Sequence, residues 1–340
     1  MNGELMASEI EEIPKVFQRL LNDTETFEKV GTLLRERDIT SILILARGTS
    51  DNAAHFLKYL IETQLGLPVG LTSPSSVTIY KTELKFKNVL VIALSQSGQS
   101  PDLVEYAMAA LSSGATLISL TNDPTSPLAQ AAHLHVNLLA GPELAVAASK
   151  SYAAELLASY LLVCAWQNIS PDAEEIISEA QKVLHEDIDH VIASCSLKRE
   201  IVILGRGFSY PNAREAALKI QETCKVSVQG LSTADYLHGP ISALTSQTQV
   251  LILAPIKIPE FSMKEATDRI RSSGAQIFWL GLGGKDCPGD FRVAGAQVKN
   301  EILASIVDAI VLQRFALKLC IQNNLDPDSP VGLSKVTLTH

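Results

Sequence analysis

Short apolar runs alternate with amphipathic segments along most of the chain. Runs rich in leucine and β-branched residues predict buried strands, and apolar residues spaced three to four apart predict helices. The predicted strands lie near 41–46, 88–94 and 116–120 in the first half, and near 200–204, 249–254 and 275–281 in the second. The predicted helices lie near 51–65, 101–112, 211–223 and 262–273. Because the strands are apolar almost throughout, the pattern indicates parallel sheets covered by helices on both faces.

The two halves of the chain resemble each other. The stretch ILILARGTSDNAAHFLKYLI at 42–61 aligns with IVILGRGFSYPNAREAALKI at 201–220, an offset of 159. ALSSGATLISLT at 110–121 aligns with IRSSGAQIFWLG at 270–281, an offset of 160. Two separate matches at nearly one offset indicate a duplication. The sequence therefore predicts an α/β protein of two tandem, doubly wound parallel-sheet domains of the flavodoxin-like kind.

We expect three regions along the chain. A helical segment covers 1–37, a first domain covers 38–170 and a second domain covers 190–340. The region 145–193 is predicted to be helical. A long helix is expected near 299–323, because Asn, Asp and Pro residues that end helices follow it.

The composition narrows the range of partners. The 340 residues are 46% hydrophobic and carry a formal net charge of -9, with no run of lysine or arginine. These values are typical of a compact soluble protein and argue against a nucleic-acid partner or an anionic membrane. An anionic ligand must then be held by a local arrangement of donors.

Cysteine usage and hydropathy favour a cytoplasmic protein. The five cysteines are Cys164, Cys195, Cys224, Cys287 and Cys320. Their odd number and the lack of CxxC spacing predict reduced, mostly buried thiols and no metal site. The first residues lack a signal-peptide pattern, and the most apolar run, 153–166, is too short to cross a bilayer. We therefore expect no membrane partner.

A polar segment, LSQSGQSPD, follows a predicted strand and precedes a predicted helix. Its candidate ligand-binding side chains are Ser95, Gln96, Ser97 and Ser100. Ligands of open α/β sheets bind beyond the carboxyl ends of strands, and helix N-termini offer unpaired N–H groups that suit a phosphate. Hydroxyls and an amide add neutral donors. The segment therefore predicts a phosphate site without cations, and a simple helix cap made by Ser97 or Ser100 is the alternative.

A second polar segment, GTSD, follows the preceding strand. It supplies Thr49 and Ser50 at an equivalent position, so the two loops can converge on one ligand. The spacing is neither a Walker A motif nor GxGxxG, which argues against a nucleotide site. In the second half of the chain, the counterpart of the first segment is APIKIPE at 254–260, which has no serine.

The second half instead carries charged residues on one predicted helix. Lys219 and Glu222 lie three residues apart and share a face. Glu215 lies four residues before Lys219, so a solvated salt-bridge face explains the same spacing. His238, which precedes Gly-Pro, is either functional or a buried histidine with its hydrogen bonds satisfied. The spacing leaves these alternatives open.

Six segments together resemble a known family. They are ARGTSDNA, LSQSGQSPD, GPELAVAASKSY, GRGFSYPNAREAALKIQE, STADYLHGP and DPDSPVGLSKVTLT. Their order and spacing are similar to those of the double-SIS (sugar isomerase) family, as in the isomerase half of glucosamine-6-phosphate synthase, from about residue 30 to the end. The resemblance implies two SIS domains and a phosphosugar isomerase chemistry that needs no metal or redox cofactor.

The resemblance also implies roles for individual residues. Those that hold the sugar phosphate are Thr49, Ser50, Ser95, Gln96, Ser97 and Ser100, and those near the sugar hydroxyls are Ala148 and Ser149. Lys219 falls on the active-site lysine, Glu222 on the proton-transferring glutamate and Lys335 on the lysine that forms a Schiff base with the ketose. His238 falls on the histidine that assists ring opening across the interface of a homodimer.

Three departures from the family pattern shape the predicted reaction. Ser100 replaces a threonine and keeps the hydroxyl, whereas Ala148 stands where a serine is usual. The family's glutaminase half is not recognised before the SIS pair, and residue 2 is Asn2. We therefore expect that the chain does not draw ammonia from glutamine. Run in the opposite sense, the same chemistry converts glucosamine 6-phosphate to fructose 6-phosphate and ammonia.

Two alternative functions stay open. A SIS deglycase or a plain aldose–ketose isomerase would act on another amino-sugar phosphate. A non-catalytic, sugar-phosphate-binding regulator belongs to a different class, and such a protein should lack the lysines, glutamate and histidine named above. An ammonia assay tests the first alternative, and replacement of Glu222 by Gln tests the second.

Overall fold

The computed structural model describes residues 2–254, 260–281, 290–330, 332–333 and 335. Over these residues the chain forms two five-stranded parallel sheets with flanking helices. The strands are β1 (Ser41–Leu45), β2 (Val69–Leu71), β3 (Val89–Ser95), β4 (Thr116–Thr121), β5 (Leu134–Asn137), β6 (Glu200–Gly205), β7 (Val228–Ser232), β8 (Thr248–Leu253), β9 (Gln276–Leu280) and β10 (Phe291–Val293). The helices are α1 (Glu4–Glu11), α2 (Ile13–Asn22), α3 (Thr24–Arg35), α4 (Gly48–Gln64), α5 (Ser75–Thr78), α6 (Pro101–Ser112), α7 (Pro127–Ala131), α8 (Lys150–Gln167), α9 (Ile176–Leu184), α10 (Asp189–Ser194), α11 (Tyr210–Cys224), α12 (Thr233–Leu237), α13 (Glu260–Ser272) and α14 (Glu301–Gln322).

Both sheets have the same strand order. The first runs β2-β1-β3-β4-β5, and the second, read in the same sense, runs β7-β6-β8-β9-β10. Every strand pair among the described residues is parallel. Helices connect successive strands from β1 to β5 and from β6 to β9. The two flavodoxin-like sheets predicted from the sequence are therefore confirmed.

The strand registers repeat with the offset found in the sequence. Ile42 of β1 lies opposite Leu90 of β3, and Ile201 of β6 lies opposite Gln249 of β8, so both members shift by 159 positions. The pairing of β1 with β2 and of β6 with β7 repeats the same shift. A shared register is what a duplicated domain retains, which supports the internal duplication.

The chain divides into two compact units. The first holds sheet β1–β5 and comprises residues 15–143 and 150–172 together with Lys335. The second holds sheet β6–β10 and comprises residues 2–14, 144–149 and the described part of 173–333. The domain boundaries expected from the sequence stay a prediction.

The hydrophobic pattern predicted the central strands better than the outer ones. All seven residues of β3 are buried, which explains its continuous apolar run. The outer strands β2, β5, β7 and β10 are absent from the sequence prediction; they are three to five residues long and only partly buried. Residues 145–149, expected to be helical, are irregular, and the helix begins at Lys150.

Helix α8 is buried on nearly every side within the first unit. It packs against α3 and α4, and sixteen of its eighteen residues are buried. A close approach to α3 occurs at Gly31, where an added Cβ would lie 2.3 Å from the carbonyl oxygen of Ala165. Buried throughout, α8 forms a fixed support for the side chains that contact it.

Other sequence predictions concern membranes, metals and thiols. None of the helices in the described part of the chain combines the length and apolar character that crossing a bilayer requires. Within the same residues, no group of three or more His, Cys, Asp or Glu side chains forms a potential metal site. The described cysteines, Cys164, Cys195, Cys224 and Cys320, are free and buried, as expected. Cys287 lies outside the described residues.

Candidate active site

The strand order of the first sheet puts its topological switch point between β1 and β3, and the space beyond the carboxyl ends of these strands is here called the crevice. The chain leaves β1 towards β2 on one side and leaves β3 towards β4 on the other. Loops that diverge in this way leave the space where sheets of this order bind ligands. The GTSD segment follows β1, and residues 95–100, here called the serine loop, follow β3. The fold thus brings the two polar segments to the same crevice.

The serine loop is held by its own hydrogen bonds. The Oγ of Ser95 accepts the N–H of Gly98 at 3.1 Å, and the Oγ of Ser97 accepts the N–H two residues further on at 3.3 Å. The carbonyl oxygen of Gln96 accepts the N–H of Asn122 at 3.1 Å. Since both serine hydroxyls act as acceptors here, their own protons are available to a ligand oxygen.

Gly98 is required by its surroundings. Its φ is +63°, and an added Cβ would lie 2.2 Å from the Oγ of Ser126. Its carbonyl oxygen accepts the N–H of Leu128 at 3.3 Å. Glycine alone combines this backbone conformation with such close contact.

Two helix N-termini face the crevice. Helix α4 begins at Gly48 and α6 begins at Pro101, each directly after one of the polar segments. The N–H groups in the first turn of α4 suit an anion. In α6, Pro101 has no N–H, and the N–H of Leu103 donates to Oδ1 of Asp102 at 3.0 Å. Ser100 occupies the N-cap position of α6, yet its side chain makes no capping hydrogen bond. The helix-cap alternative therefore does not account for the hydroxyl of Ser100.

Ser50 differs from the other predicted phosphate ligands. Its hydroxyl donates to Oε1 of Glu155 on α8 at 2.7 Å, and both residues are buried. The Ser50 hydroxyl proton is therefore used in the hydrogen bond to Glu155, while the backbone N–H of Ser50 lies in the first turn of α4. Thr49 lies beside it and is half-buried.

A guanidinium also lies beside the crevice, which differs from the predicted phosphate site without cations. Arg47 precedes α4, and its Nε donates to Oδ2 of Asp102 in the first turn of α6 at 2.9 Å. The Arg47 side chain is 50% exposed, whereas Asp102 is buried. The pair joins the two polar segments without adding net charge.

In the second unit, Lys219 lies between two carboxylates on α11. Its Nζ is 3.4 Å from Oε1 of Glu215 and 2.5 Å from Oε2 of Glu222. The side chain of Lys219 is 1% exposed, that of Glu215 is 3% exposed and that of Glu222 is 22% exposed. The solvated salt-bridge alternative is therefore wrong. The buried lysine fixes Glu222, and part of the Glu222 carboxylate stays accessible.

His238 is exposed at the C-terminus of α12. The alternative of a buried histidine with satisfied hydrogen bonds is therefore wrong. Within the described residues, no hydrogen bond or ion pair joins His238 to Lys219 or Glu222. Tyr236, two residues earlier, is buried, and burial together with the nearby charge of Glu200 raises its pKa to about 12.

Lys335 is paired with a carboxylate within the first unit. Its Nζ donates to Oε2 of Glu143 at 3.1 Å. The two oxygens of Glu143 also accept the N–H of Ser151 at 3.0 Å and its hydroxyl at 2.7 Å. The Glu143 side chain is completely buried, and that of Lys335 is 24% exposed.

The remaining predicted residues belong to the second unit. Ala148 is half-buried, and the buried Ser149 accepts the Nε2 of Gln313 at its carbonyl oxygen, at 2.9 Å. The APIKIPE segment lies almost entirely outside the described residues.

Comparison with known proteins places the chain in a family. Residues 34–165 match the SIS domain. Over 337 residues, 93% of the chain, it is 31% identical to a glutamine–fructose-6-phosphate aminotransferase (isomerizing) of Thermotoga maritima, of which it covers 55%. A crystal structure from Silicibacter pomeroyi DSS-3, of a protein assigned to the phosphosugar isomerases, is 30% identical with a TM-score of 0.86. The match covers 96% of this chain and 100% of that one. The chain belongs to the SIS family of phosphosugar isomerases.

The fold is also similar to that of a solved deaminase structure. A glucosamine-6-phosphate deaminase from Thermotoga maritima has a TM-score of 0.74 at 21% identity, covering 96% of this chain and 99% of its own. At that identity the likeness shows the fold alone. The chain spans about half the length of the curated relatives it matches.

Sequence reasoning gave no role to two carboxylates of this SIS chain. Glu143 holds Lys335, and Glu155 holds Ser50. Glu155 is the only charged residue in the apolar run 153–166. Because a buried carboxylate needs partners, that isolation was a usable signal. Glu143 lies within the GPELAVAASKSY segment, but nothing in the spacing pointed to its partner.

Proposed function

We propose that the chain is an isomerising deaminase that converts glucosamine 6-phosphate to fructose 6-phosphate and ammonia. The contact between Lys219 and Glu222 carries this proposal. A carboxylate that is fixed by a buried lysine and still partly accessible is suited to moving a proton between neighbouring carbon atoms. Positioned proton transfer of this kind contributes about 10²–10⁴-fold in rate.

The phosphate of the substrate binds at the crevice of the first sheet. The N–H groups that begin α4 supply donors, and the hydroxyls of Ser95, Ser97 and Ser100 add more. Gln96 and Thr49 complete the set, and Ser50 contributes through its N–H because its hydroxyl is committed to Glu155. The ligand charge is then met by dipoles and neutral donors.

Proton transfer follows ring opening. Glu222 removes the proton from C2 of the open aldose and returns a proton to C1, so the 2-amino aldose becomes a C2 imine. Lys219 keeps Glu222 in place and offsets negative charge that develops on the substrate. The amine of Lys335 exchanges with the C2 imine and releases ammonia, and water then hydrolyses the lysine imine to give the ketose.

Family membership supports the chemistry of a phosphosugar isomerase in general. The chain is a phosphosugar isomerase by family, and curated relatives that it matches are named as isomerizing aminotransferases. Ala148 lacks the hydroxyl usual in the family, and this favours, as a second candidate, an isomerase that acts on another amino-sugar phosphate. The two candidates differ in whether glucosamine 6-phosphate is turned over.

A direct assay tests the proposal. The purified chain is incubated with glucosamine 6-phosphate, and ammonia and fructose 6-phosphate are measured over time. The expected result is equal amounts of both products. If neither is formed while another amino-sugar phosphate is isomerised, the second candidate replaces the first.

We further propose that the chain acts as a homodimer in which His238 assists ring opening on the partner copy. The exposure of His238 supports this assignment. Light scattering gives the oligomeric state. Mixing His238→Ala and Glu222→Gln variants should restore part of the activity, because one site of a mixed dimer then retains both groups. No recovery on mixing, with subunit exchange verified, would contradict the shared arrangement.

A further inference from the structure

We propose that Glu143 positions Lys335 and acts as the counter-ion of the Schiff base that Lys335 forms with an open-chain ketose phosphate. The role of Lys335 itself rests on the proposed function. The role of Glu143 rests on contacts within the first unit.

Glu143 is bound at both carboxylate oxygens. Oε1 accepts the N–H of Ser151, and Oε2 accepts both the hydroxyl of Ser151 and the Nζ of Lys335. Ser151 lies in the first turn of α8, which is buried on nearly every side. The carboxylate is therefore fixed against a rigid element, and its direction towards Lys335 is set before substrate arrives.

Burial makes this carboxylate depend on a cation. The Glu143 side chain is completely buried, and an ionised carboxylate in such a position is costly unless it is paired and hydrogen-bonded. Ser151 supplies the neutral donors and Lys335 supplies the positive charge. Lys335 is 24% exposed, so the amine can meet a substrate while remaining in contact with Glu143.

The same charge balance holds through the covalent step. The nitrogen of Lys335 bonds to C2 of the ketose, and the carbonyl oxygen leaves as water with two of the three ammonium hydrogens. The product is an iminium that keeps one hydrogen and the single positive charge. Glu143 therefore faces a cation before and after the reaction, and it lowers the free energy of the iminium relative to the neutral carbinolamine.

A purely structural role for Glu143 is the competing explanation, since the residue also binds the start of α8. The two explanations differ in what a neutral amide would change. Glu143→Gln keeps an oxygen to accept the Ser151 N–H but removes the charge. Ser151→Ala removes a hydrogen bond from the same carboxylate and keeps the charge.

The experiment measures iminium formation directly. Full-length wild type, Glu143→Gln, Glu143→Asp and Ser151→Ala are incubated with fructose 6-phosphate and cyanoborohydride, and reduced adduct at Lys335 is quantified by peptide mass spectrometry. Glu143→Gln should trap at least about tenfold more slowly at saturating ketose, because a hydrogen bond to a charged group is lost. Glu143→Asp should recover part of the rate, and Ser151→Ala should stay within about twofold of wild type. Ketose concentration at half-maximal trapping should change little, since the serine loop is intact.

Each outcome is decisive. Wild-type trapping rates in folded Glu143→Gln would overturn the proposal, as would equal losses in Glu143→Gln and Ser151→Ala. Absence of adduct at Lys335 in wild type would also overturn it. Adduct without ammonia release from glucosamine 6-phosphate would refute the proposed deaminase and leave the counter-ion role standing. If Glu143→Gln does not fold, the comparison of Glu143→Asp with Ser151→Ala decides: only a rate loss confined to the aspartate variant, whose shorter side chain moves the charge, supports the proposal.

Discussion

The Ser50 hydroxyl donates its proton to the Glu155 carboxylate at 2.7 Å, inside the first unit. A hydroxyl has a single proton to donate, so the same proton is not available to a phosphate oxygen. Ser50 and Ser100 both lie at helix N-termini beside one crevice, yet Ser100 makes no capping bond. Two serines that look equivalent in the sequence therefore have different functions.

This difference predicts opposite effects of two alanine substitutions. Ser50→Ala should lower the free energy of unfolding by about 1–3 kcal/mol, because buried Glu155 loses a donor, with little effect on phosphate-ester affinity. Ser100→Ala should weaken binding of a sugar phosphate severalfold and leave stability almost unchanged. Urea denaturation and calorimetric titration measure the two quantities. The assignment is wrong if Ser50→Ala impairs binding more than Ser100→Ala does.

Glu222→Gln should abolish most of the turnover and spare substrate binding. The amide keeps the shape of the side chain but does not accept a proton, so kcat should fall by roughly 10²–10⁴-fold. Affinity for the sugar phosphate should stay within a few-fold of wild type. The matched control is Glu265→Gln, because the Glu265 side chain is 71% exposed and lies 4.0 Å from Arg269, outside the candidate site. Undiminished turnover in Glu222→Gln would instead favour a non-catalytic sugar-phosphate sensor.

Lys219→Met should be strongly destabilising. It removes the cation shared by Glu215 and Glu222 and leaves Glu215 buried without it, a change that typically costs about 3–5 kcal/mol. Adding Glu215→Leu to the same chain should recover a large part of the loss, since the buried charge is then also removed. Guanidinium unfolding of wild type and both variants gives the comparison. A single variant as stable as wild type would show that the ion pair has no net effect.

Asp308 predicts a pH dependence of stability. It is half-buried on α14, and desolvation raises its pKa from an ordinary 3.8 to about 7, although its Oδ1 accepts the N–H of Ala296 at 2.7 Å. The folded state thus binds the proton more tightly than the unfolded state. Stability from this group is greatest below pH 4, falls as the pH rises to about 7, and is constant above it.

Asp308→Asn should remove that decline, because the amide oxygen still accepts the Ala296 N–H and no charge forms. At pH 8 the variant should be more stable than wild type by up to roughly 4 kcal/mol, the energy that corresponds to a rise of the pKa from 3.8 to about 7. Asp189→Asn is the control: exposed Asp189 pairs with Lys318 and its pKa is lowered from 3.8, so its contribution changes only below about pH 4 and this variant should parallel wild type between pH 5 and pH 8. Urea unfolding at pH 5 and pH 8 measures both. Parallel pH profiles for wild type and Asp308→Asn would contradict the assignment.

The sequence was sufficient to predict the central strands and the edge of the sheet at which the crevice lies. Continuous apolar runs identified β1 and β3, and the offset of 159 between the two halves reappears in the registers of both sheets. The rule that ligands of open parallel sheets bind beyond the carboxyl ends of the strands then predicted that the serine loop and GTSD lie at one edge of the sheet. The local hydrophobic pattern and the direction of each strand are enough to predict these features.

Contacts between residues far apart in the sequence could not be predicted in this way. Glu143 and Lys335 are 192 residues apart, and Ser50 and Glu155 are 105 apart. No periodicity relates such pairs, because their contact depends on how helices pack once the sheet has formed. Burial was hard to predict for the same reason: the spacing of Glu215, Lys219 and Glu222 fits a solvent-exposed helix face, whereas α11 packs against α14 and against the strands β6 and β7.

Gly98 sets a limit on how this chain can be re-engineered. Any Cβ there would collide with Ser126, so a library that varies the serine loop will lose its folded members whenever position 98 is changed. The neighbours on either side are more exposed. Attempts to redirect the crevice to another anionic ligand should therefore keep this glycine fixed and randomise positions 96, 97, 99 and 100 around it.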